Sequence, residues 1–160
     1  MRFAIATDED APVVGRVAAR LRSRGHEVAV LPTTAWAEAS LGVARAVARG
    51  EADSGVVFCH TGTGVCIAAN KVKGVRAALC GDAETAAGAR RWNDANVLAM
   101  GLRRLTDEAS DAIVDAWLET AYGGTEGESL EAVRQAEAAT PGPAERGETT
   151  PARRGGGPRG

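Results

Sequence analysis

Long apolar runs are missing. No stretch of the 160 residues approaches the roughly 18–20 apolar residues that span a bilayer. Met1-Arg2-Phe3-Ala4-Ile5-Ala6 is too short for a signal-peptide core and runs straight into Asp8-Glu9-Asp10, so the expected compartment is the cytoplasm. An excess of one charge is missing too. The formal net charge is −2, too weak a field to argue for a nucleic-acid or membrane partner. Cysteine is scarce and odd in number, three residues at no metal-like spacing, which gives neither a disulfide framework nor a zinc site. Lysine occurs only at 71 and 73, a compositional bias rather than a functional signal. No repeat of solenoid type is present.

What is present is an alternation. Hydrophobic residues make up 44% of the chain, enough for the core of one domain. Residues 2–7 read as a first strand. Asp8-Glu9-Asp10 can cap a helix from about Pro12, where proline suits the first turn, and Val13, Val14, Val17 and Leu21 recur at helical spacing. Residues 26–31 read as strand two, 35–49 as a helix closed by Gly50, 54–59 as strand three and 62–71 as a helix. The pattern continues as a strand at 75–80, a helix at 83–92, a strand at 97–100 and a helix at 106–122 capped by Thr106. Strands apolar on both faces that alternate with helices imply a parallel sheet covered on both sides. Ligands of such sheets bind at the carboxyl ends of the strands. That rule lines up Asp8, Cys59, the 62–64 turn, Gly81, Asp82 and Gly101 along one edge. Residues 129–139 suit one polar helix. From 140 to 160 the sequence is rich in Gly, Pro and Arg without apolar periodicity and reads as a disordered, solvated tail. The expected organisation is one α/β domain over 1–139 followed by that tail.

The chain centres on Val56-Val57-Phe58-Cys59-His60-Thr61-Gly62-Thr63-Gly64-Val65-Cys66-Ile67-Ala68-Ala69-Asn70-Lys71. A buried strand breaks into a Gly/Thr turn and resumes as a small-residue helix. Such a turn offers free backbone N–H groups to a phosphate, carboxylate or oxyanion, and Cys59 faces the same spot. Cys59 is either a small buried hydrophobe or a nucleophile or base held beside that cradle. A Cys–His–Asp hydrolase fits poorly. His60 is adjacent on the strand and points to the opposite face, and His26 belongs to the other end of the sheet. Gly62-Thr63-Gly64 also begins a dinucleotide fingerprint with Asp82 as its ribose acid, although Ile67 stands where the third glycine belongs. Asp8 suits a helix cap and a sugar-hydroxyl ligand equally. Cys66, Cys80, Trp92 and Trp117 read as packing residues.

Cys59-His60-Thr61-Gly62-Thr63-Gly64-Val65-Cys66-Ile67-Ala68-Ala69-Asn70-Lys71-Val72-Lys73-Gly74-Val75-Arg76-Ala77-Ala78-Leu79-Cys80 resembles the type B ribose-5-phosphate isomerase family, which includes the galactose-6-phosphate isomerase subunits. That family carries a Cys-Gly-Thr-Gly turn, then Ile-Ala-Ala-Asn-Lys and Gly-Ile-Arg-Ala. Asn93-Asp94-Ala95-Asn96-Val97-Leu98-Ala99 and Ile113-Val114-Asp115-Ala116-Trp117-Leu118 are similar to two further blocks in the right order. The resemblance covers about residues 1–122. It implies a Rossmann-like three-layer αβα sandwich with a five-stranded parallel sheet. It implies an aldose–ketose isomerase for a sugar phosphate of the ribose 5-phosphate/ribulose 5-phosphate type, working by proton transfer through a cis-enediolate. It also implies no metal or organic cofactor, and a dimer or tetramer whose site is shared between subunits. By position it makes Cys59 the base, Thr61 with the backbone of Gly62, Thr63 and Gly64 the oxyanion cradle, and Asp8 and Asn93 sugar contacts.

The departures from that pattern concern the substrate. Glu9 stands where the family has a His after the first Asp, Trp92 where a ring-opening His precedes Asn-Asp, and His60 where a Gly follows the Cys. Residues 123–127 lack the family's phosphate-binding Arg, and residues 32–41 lack its Asp-Tyr-Pro segment. Glu9, His60 and Trp92 are expected at the substrate in place of the missing groups. Arg90, Arg91, Arg103 and Arg104 are candidates to hold a phosphate. Two other readings stand beside the isomerase: a non-catalytic relative that binds a small sugar-like or anionic ligand, and the dinucleotide binder.

Overall fold

The computed structural model describes residues 1–139; the tail expected at 140–160 lies outside them. The elements alternate as β1 (Arg2–Thr7), α1 (Pro12–Ser23), β2 (Glu27–Val30), α2 (Trp36–Ala48), β3 (Ser54–Cys59), α3 (Thr63–Ala69), β4 (Ala77–Leu79), α4 (Ala83–Asn93) and β5 (Val97–Gly101). A 3-10 turn at Leu102–Arg104 leads into α5 (Asp107–Glu119), and α6 (Gly127–Ala139) follows. All strands are parallel, in the order β2-β1-β3-β5-β4. The architecture is the expected Rossmann-like αβα sandwich. No described helix is long and apolar enough to cross a membrane.

The pleat sorts side chains by size. Phe3, Ile5, Val56, Phe58, Leu98 and Met100 face α1, α4 and α5. Their neighbours Ala4, Ala6, Val57, Cys59, Val97 and Ala99 face α2 and α3. On the small-residue face α2 and α3 approach each other closely enough for the buried Ser40 Oγ to donate to Val65 O at 2.5 Å. On the other face, Trp117 from α5 reaches across to donate to Ser54 Oγ at 3.2 Å.

The expectation of strands apolar on both faces holds for β1, β3 and β5 and fails at the two edges. β2 and β4 shrink to four and three residues, because an edge strand pairs on one side only. Asn70 closes the free side of β4: its side-chain amide donates to Ala77 O at 2.8 Å and accepts from Ala77 N at 2.9 Å. The cap expected at α1 also fails. The N-cap is Ala11, with no side-chain cap. Asp8, Glu9 and Asp10 lie upstream in a turn closed by Thr7, whose hydroxyl donates to Glu9 O (2.9 Å) and accepts from Glu9 N (3.3 Å).

Helices α1 and α5 are joined by an ionic ladder. Arg16, Arg20 and Arg24, one helical turn apart, face Asp107, Asp111, Asp115 and Glu119 at the same spacing. Arg16 meets Asp111 at 2.5 Å and Arg24 meets Glu119 at 2.6 Å, while Arg20 binds Asp115 through two nitrogens. The hydrogen bond from Arg16 holds the Asp111 carboxyl below its ordinary range. A carboxylate depressed in the folded state adds stability above its unfolded-state pKa of about 3.9, and loses it as pH falls through the lower folded value. Asp111→Asn is therefore expected to cost roughly 0.5–1 kcal/mol at neutral pH. Its thermal midpoint should also decline less than that of the unsubstituted chain below about pH 4. Parallel acid limbs in the two proteins would contradict this account.

Candidate active site

The carboxyl end of β3 is shaped by a close approach. Cys59 pairs in register with Gly101 of β5, and its side chain lies on the small-residue face, 6% exposed. The chain then turns sharply at Gly62, whose φ is +77°. A Cβ at Gly62 would stand 2.5 Å from Leu79 Cδ1 and 2.8 Å from the Gly101 amide nitrogen, and a Cβ at Gly101 would stand 2.6 Å from Thr61 O. Two glycines, Gly62 and Gly101, are thus wedged together across β3 and β5. Helix α3 starts directly after the wedge, so its first N–H groups have no preceding turn to bond. Among the described residues, the amides of Gly62, Thr63 and Gly64 find no acceptor. The Thr61 and Thr63 hydroxyls, both exposed, are 2.7 Å apart. Cys59 therefore ends its strand immediately before a turn that carries a set of free donors.

Neighbouring loops converge on the same edge. With the cap role gone, Asp8 keeps a buried Oδ1 without a hydrogen-bond partner; an acceptor in that state suits a ligand hydroxyl. Glu9 Oε1 is 3.9 Å from His60 Nδ1, both side chains being exposed. Arg103 N donates to His60 O at 2.9 Å. His60, Thr61, Gly101, Arg103 and Arg104 line a cavity of about 260 Å³. Trp36, the first residue of α2, lays its ring over the first turn of α3: a Cβ at Gly64 would be 3.0 Å from Cε3 of that ring. Sequence reasoning missed Trp36, whose contact joins two segments that the sequence does not relate. The placement of Arg103 and Arg104 could have been read, since both directly follow a parallel strand.

Other candidates fall away. Asp82 is the N-cap of α4, accepting from Thr85 N at 2.7 Å and from the Thr85 hydroxyl at 3.0 Å, so its oxygens are engaged and the dinucleotide reading loses its ribose acid. Burial pushes the Cys80 thiol up to about 12 and raises that of Cys66, so neither supplies a thiolate near neutral pH.

Trp92 and Asn93 are not brought to Cys59 within one chain. Helix α4 starts at the carboxyl edge and its eleven residues carry the chain back about 16 Å at the usual rise. At that opposite edge Asn96 O accepts from Gly55 N near the start of β3. Trp92 is half-exposed rather than packed as expected, and its ring leans on Gly88. Asn93 precedes Asp94, which adopts a left-handed φ of +46°. Arg76 holds that turn by donating to Asp94 O and Oδ2, both at 2.8 Å. A groove of about 650 Å³ lies there between β4 and α6, lined in part by Arg76, Trp92, Asn93, Leu130 and Val133. Arg90 and Arg91 share this edge. The Arg90 guanidinium donates to Ala95 O and stacks over the Trp117 ring, while its buried Nε keeps no partner, and of the four candidate arginines only Arg103 and Arg104 line the cavity with His60 and Thr61.

The ribose/galactose isomerase family matches residues 3–135. Ribose-5-phosphate isomerase B of Escherichia coli is 48% identical over 92 residues, which cover 57% of this chain and 62% of that protein. D-erythrulose-4-phosphate isomerase of Pectobacterium atrosepticum is 43% identical over 82 residues, covering 51% and 54%. The chain thus spans between about half and two thirds of the length of these curated relatives. The structure of ribose-5-phosphate isomerase B from Clostridium thermocellum superimposes with a TM-score of 0.83 at 35% identity, covering 86% of this chain and 98% of that one.

The wedge sets a quantitative expectation. Gly74 also has a positive φ, +83°, but nothing lies within 4 Å of a Cβ built there. Gly74→Ala should cost about 1–2 kcal/mol, the strain of a left-handed residue. Gly62→Ala adds overpacking against β5 and should cost about 1–3 kcal/mol more. Urea unfolding of the two variants measures the difference, and equal losses would mean that the β5 contact does not constrain the turn.

Proposed function

The chain belongs to the ribose/galactose isomerase family, and on that premise we propose that it is an aldose–ketose isomerase acting on a sugar phosphate of the ribose 5-phosphate/ribulose 5-phosphate type. The observation that carries this reading is Cys59 at the carboxyl end of β3, followed directly by a turn whose Gly62, Thr63 and Gly64 amides have no partner among the described residues. Isomerisation needs a base where the proton leaves carbon and donors where oxygen becomes charged. Cys59 would take the C2 proton of the open aldose and return it to C1. The turn amides and the Thr61 hydroxyl would hold the enediolate oxygens, and Asp8 would accept from a sugar hydroxyl. Proton transfer of this kind asks for no metal or organic cofactor.

The 260 Å³ cavity under Arg103 and Arg104 offers two guanidinium groups to the phosphate, matched to its oxygens by geometry as well as charge. Trp92 and Asn93 lie at the far edge of their own sheet, so they would reach this site only from a second copy. The proposed assembly is accordingly a homo-oligomer with a shared site. The names of the two curated relatives differ in sugar length, so the arm between reacting carbons and phosphate is the open variable.

In deuterated water the protein should exchange the carbon-bound proton of ribulose 5-phosphate and convert it to ribose 5-phosphate. Cys59→Ala should lower both by at least about 10³-fold while keeping the thermal shift that ribose 5-phosphate produces. Arg103→Ala should raise KM about tenfold, with a smaller effect on kcat, as the loss of a contact made in ground and transition states alike. Binding of sugar phosphates without any exchange by the unsubstituted protein would instead identify a ligand-binding relative.

A further inference from the structure

We propose that His60, backed by Glu9, is the acid–base group that opens the sugar ring before Cys59 acts. The inference rests on the isomerase reading and adds a step that Cys59 cannot perform. An aldopentose 5-phosphate in water is mostly a furanose, whose ring oxygen bridges C1 and C4. C4 carries the phosphate arm, and C1 adjoins the C2 proton that Cys59 would remove. A group that protonates the ring oxygen must therefore stand between the phosphate site and the thiol.

His60 occupies that position. It follows Cys59 directly and lines the same cavity as Arg103 and Arg104. Its side chain is 68% exposed, so it reaches a ligand without rearrangement. Its backbone is fixed by the Arg103 N–H on His60 O, and Glu9 is fixed by the Thr7 turn. The Glu9 carboxylate lies 3.9 Å from Nδ1, an ion-pair distance to the imidazolium that leaves Nε2 for the substrate. The sequence has one other histidine, His26. It precedes β2 at the opposite edge, contacts the Met1 amino group at 3.3 Å, and is held below its ordinary pKa by burial and by that charge. The Thr61 and Thr63 hydroxyls bond each other and are too weakly acidic for the step.

The chemistry balances without an oxidant or reductant. The imidazolium Nε2–H gives its proton to the ring oxygen as the C1–O4 bond breaks, and that bond's electron pair stays on O4, now the C4 hydroxyl. The O1–H proton leaves to water while its electrons form the C1 carbonyl. The imidazole regains a proton from water.

Ribulose 5-phosphate tests the step because it has no free hydroxyl placed to close a five-membered ring. Solvent deuterium wash-in at its C1 needs the proton-transfer centre alone, whereas conversion of ribose 5-phosphate also needs ring opening. In the full chain, His60→Gln should lower ribose 5-phosphate conversion by about 10²-fold and wash-in by less than tenfold. Glu9→Gln should move the two rates in the same unequal way, more weakly, and added imidazole should restore conversion by His60→Ala. Equal losses in both rates, or conversion unaffected by His60→Gln in a protein that melts normally, would overturn the proposal. If the unsubstituted protein shows neither wash-in nor conversion, the isomerase reading itself falls, and this proposal falls with it.

Discussion

The wedge of Thr61–Gly62 against Met100–Gly101 is the contact on which the rest of this edge depends. Strand β5 lies between β3 and β4, so the end of β3 is flanked by β1 on one side and β5 on the other. The loops after all three strands are therefore forced together. Only glycine fits at positions 62 and 101, where β3 meets β5, and the turn at Gly62 leaves the first amides of α3 unbonded. Packing and chemistry share one cause here. The steric demand that selects glycine also creates the free donors, and it places them in the turn that follows the thiol-bearing strand end, three to five residues beyond Cys59.

Alternation along β3 then divides the site. Residues of β3 take turns between the two faces, so Phe58 fills the large-residue core while Cys59 joins the small-residue one. The next residue, His60, leaves the strand on the side of the β1–α1 loop and of the turn before α5, where Glu9, Arg103 and Arg104 are found. In the proposed reaction a sugar phosphate would straddle the strand end, with its reacting carbons over Cys59 and its phosphate arm toward the arginines. A continuous helix could not separate these groups so sharply over two residues. A strand does it through its period of two.

Much of this was legible in the sequence because it rests on local signals. The βα alternation, the central strands, the Thr106 cap and the Gly turn all follow from residue type and spacing. Two kinds of feature were not. Edge strands β2 and β4 look apolar enough to be longer, but their length is set by having a single partner, a property of strand order rather than of their own residues. Asp8 balanced between cap and ligand until the extended Ala11 took the cap position. Trp92 and Asn93 illustrate the opposite case. Their motif points to a functional site, yet a helix that leaves the carboxyl edge must deliver its last residues to the amino edge. The sequence holds the motif, the topology holds its location, and only a second copy could reconcile the two at Cys59.

The distribution of arginine explains how a chain of net charge −2 could attract an anion to one place. Arg16, Arg20 and Arg24 are matched by the α5 carboxylates, Arg2 by Asp53 and Arg76 by Asp94. Arg90 is turned inward. Among the described residues Arg22, Arg45, Arg91, Arg103 and Arg104 have no carboxylate partner, and of these Arg103 and Arg104 flank the concavity beside His60. At physiological ionic strength charges beyond about 8 Å are largely screened, so the global excess of acid matters less to a ligand than two free guanidinium groups within reach. Glu9 reaches that concavity through its ion-pair partner, His60, which lines it. An acid that faces an imidazole opposes an incoming phosphate less than a bare one would. In the proposed reaction that pairing would soften the repulsion between a carboxylate at position 9 and an anionic substrate.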